Sequence, residues 1–481
     1  MTAPRSTPRS SDGAPATAEA YRAALARLFE RRRFGLRPGL EVELALLHAL
    51  GDPAQRFPSI HVTGSKGKGS VATMAAGILS AHGLRTGLFT SPHLASYRER
   101  IRIDGREIPE ADVVEGLARV EQVADELLRT GAIDREPTFF EATTALAFDR
   151  FAREQVDAAV VEVGIGGRLD STNVLAARVG VLTTVELEHT DLLGSTVEAI
   201  AAEKAGILHR GMVGVLGELP AAAAAAVARI ADREGVPLWA LGREIRAQRT
   251  ELGPDGQTID VHVPGLALSQ VELPLLGAFQ VGNAALAVAA TSRFLGALER
   301  APTPAAIRRG LVRVRIPGRL ERKARDPELL YDVAHTPGSA RAVATSVAEI
   351  APLADPAASA IVFGCLTGKD VSGILDALAP IARTLVVVPV RSERAMTPGE
   401  IRAAAAGRFP RVVLAPHPRD GVRLARAATG SDGITLVVGS DYLIGELLRA
   451  EDVGDEPDLS DPGVGPLPPT ARAPVGRAER R

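Results

Sequence analysis

Ile60-His61-Val62-Thr63-Gly64-Ser65-Lys66-Gly67-Lys68-Gly69-Ser70-Val71 runs from β-branched residues straight into glycines, lysines and serines. Such a change describes a strand feeding a phosphate-cradling loop, with a helix to follow. Glycines let backbone N–H groups close on phosphate oxygens, and the helix N-terminus adds its dipole. Lys68 supplies a compact positive charge, and the Ser70 hydroxyl is suited to ligating a magnesium ion. The spacing is unusual. Only Ser65 and Lys66 separate Gly64 from Gly67, and Gly69 stands between Lys68 and Ser70. A bound nucleoside triphosphate is the expectation, against the plainer alternative of a glycine-rich turn that happens to hold two lysines.

The lysines carry extra weight because the chain hardly uses them. Of 56 basic residues only Lys66, Lys68, Lys204, Lys323 and Lys369 are lysine, so arginine fills nearly every generic surface role. A lysine kept in such a chain is suited to work that arginine cannot do, as a slender phosphate contact or a modifiable amine.

With 481 residues and 46% hydrophobic content, the chain is long enough for two or three domains with full cores. A net charge of −2 offers no basic field for a nucleic-acid backbone, and 4% aromatic residues give few platforms for base stacking. Cys365 is the single cysteine, which excludes an internal disulfide and a cysteine metal cluster and fits a reducing cytoplasm. The N-terminal stretch lacks the apolar centre of a signal peptide, and no run of about 18 apolar residues suggests a membrane span. Small-molecule substrates, no nucleic acid, no membrane and a monomer are the expectations.

Residues 1–17 and 451–481 are rich in Pro, Ser, Asp, Gly and Arg without periodicity and read as disordered tails. Between them, apolar strands alternate with helical segments, at Thr86 to Phe89, Ala158 to Val163, Val179 to Val185 and Met212 to Leu216. Thr258 to Val263 and Leu266 to Leu273 alternate like an appended antiparallel hairpin. The rhythm restarts after Arg300, with strands expected at Leu329 to Val333, Ala360 to Phe363, Thr384 to Val390, Val412 to Ala415 and Ile434 to Val438. The reading is α/β throughout. Residues 18–300 form an N-terminal P-loop ATPase domain with a mainly parallel sheet flanked by helices, and residues 301–450 a smaller Rossmann-like α/β domain.

Two further segments end strands in polar loops. Val160-Val161-Glu162-Val163-Gly164-Ile165-Gly166-Gly167 brings a carboxylate to the carboxyl end of an apolar strand, where open parallel sheets bind ligands. A carboxylate there is expected to be paired or bound to metal, the alternative being a solvent-facing edge residue. Thr183 to Gly194 contains Glu186, Glu188 and His189, and His189 fits a metal ligand or an ordinary loop histidine equally well. Lys204 falls in the last turn of a short helix, where dipole complementation is its default role.

Together these segments resemble the folylpolyglutamate synthase and dihydrofolate synthase branch of the Mur ligase family, over roughly Ala18 to Arg449. The resemblance rests on Phe34-Gly35-Leu36-Arg37-Pro38-Gly39-Leu40-Glu41, the phosphate loop, Phe89-Thr90-Ser91-Pro92-His93-Leu94, Glu99 to Gly105, and Pro137-Thr138-Phe139-Phe140-Glu141. It continues through the Glu162 and His189 segments, Glu203-Lys204-Ala205-Gly206-Ile207, Phe279 to Ala285, Pro317-Gly318-Arg319-Leu320-Glu321 and Tyr331-Asp332-Val333-Ala334-His335-Thr336. It implies an ATP-dependent ligase that activates a folate γ-carboxylate, or that of dihydropteroate, as an acyl phosphate and joins it to the amino group of L-glutamate. It assigns ATP to Gly64, Ser65, Lys66, Gly67, Lys68, Gly69 and Ser70, together with Asn283, Arg319, Asp332 and His335. Ser70, Ser91, Glu162 and His189 are implied as ligands of two magnesium ions. Lys204 matches the family's carbamylated lysine and, with His189 and Lys68, completes the implied catalytic set. Pro38, Gly39, Ser91, His93, Thr138, Phe139, Phe140, Leu169 and Asp170 are implied around the acid substrate.

The chain departs from the family pattern at Lys66, where many bacterial members have Asn, and at Glu188, where Asp is usual. Val333 and Thr336 replace commoner Gly and Asn. Two other classes compete. A nucleotide switch that hydrolyses ATP without ligation would leave the Lys204 and Asp332 segments unused. A ligase acting on a muramyl precursor would carry a sugar-nucleotide domain, for which about 40 ordered residues before the phosphate loop are too few. A related ligase that glutamylates a non-folate acid also fits.

Overall fold

A computed structural model describes residues 14–31, 35, 37, 39–352 and 354–451. The central strand of its larger sheet is β1 (Ser59–Thr63), every residue of which is buried. Such a strand needs cover on both faces, and two of its polar side chains are paired there: His61 Nε2 lies 2.8 Å from Thr172 Oγ1, and Thr63 Oγ1 donates to Gly166 O at 2.6 Å. Eight strands make this sheet: β1, β2 (Thr86–Phe89), β3 (Ile101–Ile103), β4 (Arg106–Glu107), β5 (Ala158–Glu162), β6 (Val179–Leu182), β7 (Val213–Leu216) and β8 (Leu238–Ala240). Their order is β4-β3-β2-β5-β1-β6-β7-β8. All pairings from β2 to β8 are parallel, and only β3 and β4 run antiparallel at one edge. The carboxyl ends of β1, β5 and β6 therefore meet at one crevice, the usual place for ligands in such sheets.

Three antiparallel strands follow, β9 (Arg246–Gly253), β10 (Gly256–Val263) and β11 (Leu266–Leu273), in the order β11-β10-β9. The expected hairpin is thus a three-stranded sheet. Its inner face, with Ile259, Val261, Leu268 and Val271, shares a core with the helix Phe279–Ala297 and the phosphate-loop helix Lys68–Ala81.

The C-terminal sheet is built from β12 (Glu321–Arg325), β13 (Glu328–Tyr331), β14 (Ala360–Phe363), β15 (Thr384–Val387), β16 (Arg411–Leu414) and β17 (Ile434–Val438). Its order is β12-β13-β17-β14-β15-β16, parallel except for the β12 edge.

Two expectations about boundaries change. The second domain does not begin at residue 301: the helix Pro304–Val312 buries Ile307 and Leu311 in the first domain's core, and Gly310 lies against Gly77 and Ile78. The sheet change comes at β12, after Pro317-Gly318. The tail read as 1–17 is shorter at its inner end, because a helix spans Ala14–Glu30 and buries Tyr21, Leu25 and Leu28. Residues 1–13 and 452–481, both read as tails, lie outside the described residues.

Candidate active site

The phosphate loop owes its shape to two glycines in positive φ, Gly64 at 145° and Gly67 at 83°. A Cβ on Gly64 would strike the Thr183 hydroxyl, and one on Gly67 would sit 2.6 Å from Asn283 Oδ1. The loop is stitched to the segment after β6. Ser65 N donates to Thr184 O at 2.8 Å, Lys66 N to Thr184 Oγ1 at 2.9 Å, and Glu186 N to Ser65 Oγ at 2.9 Å. Lys68 Nζ donates to Gly64 O at 3.0 Å, which curls the side chain over the loop. The first turn of the helix Lys68–Ala81 thus presents its free N–H groups to the crevice.

Glu162 ends β5, buried, and its Oε2 accepts from Ser91 N at 2.9 Å. Burial raises its pKa, opposed by Lys68, the Ser91 N–H, Arg319 and Arg100. Gly69 allows the approach: a Cβ there would stand 3.3 Å from Glu162 Oε2. Ser70, Ser91 and Glu162 are thereby gathered at one wall of the crevice.

The departures at residues 66 and 188 explain each other. Glu188 Oε1 lies 3.0 Å from Lys204 Nζ, and its Oε2 lies 3.7 Å from Lys66 Nζ. Burial alone would raise the Glu188 pKa, but Lys204, Lys68 and Lys66 together pull it down to about 2. Lys204 is only 2% exposed, and burial with the nearby Lys68 lowers its amine to about 8, against the pull of Glu188. His189 follows in the left-handed region at φ 48°, on the crevice wall, with desolvation favouring its neutral ring.

A single cavity of about 1100 Å³ joins these groups to an aromatic wall and to the C-terminal domain. Thr138 caps the helix Phe139–Arg153 in a capping box with Glu141, which takes a two-pronged ion pair from Arg135 at 2.8 Å per contact. Phe139 stacks on Phe29 with centroids 5.3 Å apart, and the Arg100 guanidinium lies 5.1 Å over its ring. Asp170 is committed to its own loop, accepting from Ile165 N and Thr172 N at 3.0 Å and from Thr172 Oγ1 at 2.5 Å. From the other domain, Arg319, Asp332 and His335 reach the cavity. Asp332 accepts from Leu320 N and Ala334 N at 2.7 Å, and burial raises its pKa to about 6. His335 Nδ1 donates to Val333 O at 2.9 Å, which makes Nε2 the acceptor atom of the neutral ring.

Ser65 to Ser70, Ser91, Thr138, Phe139, Phe140, Glu162, Leu169, Asp170, His189, Asn283, Arg319, Asp332 and His335 therefore line one cavity. Others do not. His93 is buried behind the wall, its Nδ1 accepting from Arg100 Nε at 2.7 Å, so Arg100 takes the place expected of it. Gly39 and Gly64 are off the wall, Lys204 meets it only through Glu188, and Pro38 lies outside the described residues. Sequence reasoning assigned no role to Arg100, Glu186, Arg246 or Phe279, all of which line the cavity. Arg100 sits in a motif quoted for the resemblance, but nothing local shows a buried arginine.

The Mur ligase middle domain matches residues 62–291, and the Mur ligase glutamate ligase domain matches residues 318–441. Folylpolyglutamate synthase of Lacticaseibacillus casei is 40% identical over 72% of this chain and 80% of its own length. Dihydrofolate synthase/folylpolyglutamate synthase of Mycobacterium tuberculosis is 37% identical over 81% of this chain and 82% of its own. The chain belongs to the folylpolyglutamate synthase/dihydrofolate synthase branch of the Mur ligase family. The solved structure of Mycobacterium tuberculosis folylpolyglutamate synthase with ADP superposes with a TM-score of 0.83 at 33% identity, over 90% of this chain and 99% of that one. Escherichia coli FolC with DHPP and ADP gives 0.79 at 28% identity over 93% and 99%. As a member of this branch the chain is an ATP-dependent ligase of the folate–glutamate class. Among the described residues no helix is long and apolar enough to cross a membrane.

Proposed function

We propose that the chain joins the amino group of L-glutamate to the γ-carboxylate of a folate, to the carboxylate of dihydropteroate, or to both. One observation carries this reading: the phosphate loop, Glu162, the Phe139–Arg100 wall and the Arg319–Asp332–His335 group of the second domain all face one cavity.

The acid's carboxylate oxygen attacks the γ-phosphorus of ATP, the bond to the bridging oxygen breaks, and ADP departs. The glutamate nitrogen then attacks the acyl phosphate carbon, loses a proton, and phosphate leaves. Both steps move negative charge over oxygens, so positioning and electrostatics dominate. Lys68 and the N–H groups of residues 65–70 hold phosphate oxygens, and Arg319 meets them from the other domain. Asp332 shapes the turn before His335 and lies where a nucleotide ribose is bound in related sheets. Arg100 and Phe139 offer a cation and a flat apolar face for a pterin ring.

No group of three acidic, histidine or cysteine side chains suited to holding a metal unaided occurs among the described residues. That donor set fits magnesium, which needs one or two carboxylates and completes its shell with substrate phosphates and water. Glu162, Ser70, Ser91 and His189 would hold it, and bound magnesium supplies neutralisation of the transferring phosphoryl group. Lys204 is buried with an acidified amine, as carbamylation requires, and gaining a carbamate would break its ion pair with Glu188.

The deciding assay offers purified protein ATP, magnesium and glutamate with dihydropteroate or reduced folate in turn. Glutamate-dependent phosphate release and a product heavier by one glutamyl unit are expected with at least one acid. Release with neither acid would turn the reading to a non-folate acid, and release without glutamate to a nucleotide hydrolase.

A further inference from the structure

Leu275 and Leu276 are consecutive, yet they belong to different cores. Leu275 is buried with the large sheet's helices, and Leu276 among the apolar residues of the C-terminal domain. The carboxamide of Gln257, on β10, clamps this crossing: its Nε2 donates to the carbonyls of Leu275 and Gly277, each at 3.0 Å. The Gly277 carbonyl also accepts from Gln280 N at 3.0 Å. Gln280 Oε1 in turn accepts from Asn283 Nδ2 at 2.9 Å, which turns Asn283 Oδ1 toward Gly67 of the phosphate loop.

Gln257 is 3% exposed and Gln280 is fully buried, and neither lines the cavity, whereas Asn283 does. Each glutamine keeps one buried amide atom without a partner among the described residues, Oε1 on Gln257 and Nε2 on Gln280. A methionine of the same length would fill either place without that cost. Carboxamides here are explained by what their other atoms hold.

We propose that Gln257 and Gln280 are positioning residues for the nucleotide, setting Asn283 against Gly67 in register with the docking of Leu276 in the second domain. Gln280 fixes which end of the Asn283 carboxamide faces the cavity. Gln257 fixes the Gly277 turn from which Gln280 starts, and so ties nucleotide geometry to the seam between the two cores. The inference rests on the reading of this cavity as the ATP site.

The test begins with calorimetric titration of ADP into the unaltered chain; absence of binding would overturn both that reading and this one. With binding established, Gln257→Met should raise KM for ATP about tenfold, with kcat and KM for glutamate within about twofold of the unaltered enzyme. Combined with Asn283→Ala, it should add nothing to the effect of Asn283→Ala alone, because Gln257 acts through Asn283. An unchanged KM for ATP, an equal rise in every KM, or additive effects in the double variant would overturn the proposal. Should Gln257→Met not fold, Gln280→Met is carried through the same cycle, with the same outcomes deciding.

Discussion

Lys204 Nζ and Glu188 Oε1 are 3.0 Å apart, with the lysine 2% exposed and the carboxylate shared with Lys66 on its other side. Taking one partner from a buried pair leaves a charge without compensation, typically at about 3–5 kcal/mol. Lys204→Ala is expected to lower ligation by about a hundredfold or more while the chain stays folded. Lys204→Arg should not restore it, since arginine cannot be carbamylated and its planar head does not fit a lysine's place. Phosphate release and intact mass, with and without bicarbonate, check both parts; turnover unchanged in either variant counts against the role.

Glu43 gives the opposite expectation. It is fully buried on the helix Glu41–Ala49, and neither carboxyl oxygen has a hydrogen-bond partner among the described residues. Burial, with Glu141 and Asp170 adding to it, raises its pKa well above the usual value. A carboxyl with a raised folded pKa favours folding below its unfolded pKa, and that contribution is lost as pH rises from the unfolded pKa through the folded one. Glu43→Met should stabilise the chain by about 1–3 kcal/mol at neutral pH, and by less at pH 4. Thermal unfolding at the two pH values measures it, and an equal effect at both would refute the titration argument.

Gly67→Ala forces a Cβ to within 2.6 Å of Asn283 Oδ1 at a backbone angle that L residues rarely adopt. It should raise KM for ATP by about tenfold or more. The melting temperature without nucleotide should move much less, since the strain falls on a loop. A KM for ATP that stays put would mean the loop does not carry the phosphates.

His93 reaches the cavity only by holding Arg100 at 2.7 Å. His93→Ala and Arg100→Lys should both raise KM for the acid substrate, by about five- to fiftyfold, and leave KM for ATP near its starting value. Parallel rises for ATP would place Arg100 on the nucleotide side instead.

Asp332 takes two backbone N–H bonds at 2.7 Å while buried. Asp332→Asn sets an amide donor against one of those N–H groups and should cost about 1–3 kcal/mol of stability. KM for ATP should rise as the Leu320 to Ala334 turn loosens. Denaturant unfolding and ATP kinetics together test this, and full stability with normal kinetics would contradict the geometry.

What could be read from the chain, and what could not, follows physical lines. The alternation of apolar runs and helical segments was legible because parallel strands buried on both faces are nearly all apolar, as β5 and β6 show. β9 and β12 escaped notice because Arg246–Gly253 and Glu321–Arg325 are polar, half-exposed strands at sheet edges. Ser65 to Ser70 and Glu162, singled out by loop chemistry, line one cavity, and they were legible because glycine turns and strand ends are local. His93 and Arg100, or Glu188 with Lys66, were not legible, because pairings across the fold leave no spacing signature. Lys66, assigned to ATP by the resemblance alone, is also the second cation on Glu188, at 3.7 Å.

The helix Pro304–Val312 has a practical consequence for anyone dividing the chain. A C-terminal fragment begun at Ala301, where Ala301-Pro302-Thr303-Pro304 looks like a linker, would drag Ile307 and Leu311 into water and leave an open groove beside Gly77 on the other piece. Both halves would tend to aggregate. Scission between Val314 and Pro317 keeps that helix on its own partner, so paired expression of two polypeptides split there is the workable way to ask whether the halves reassemble around ATP.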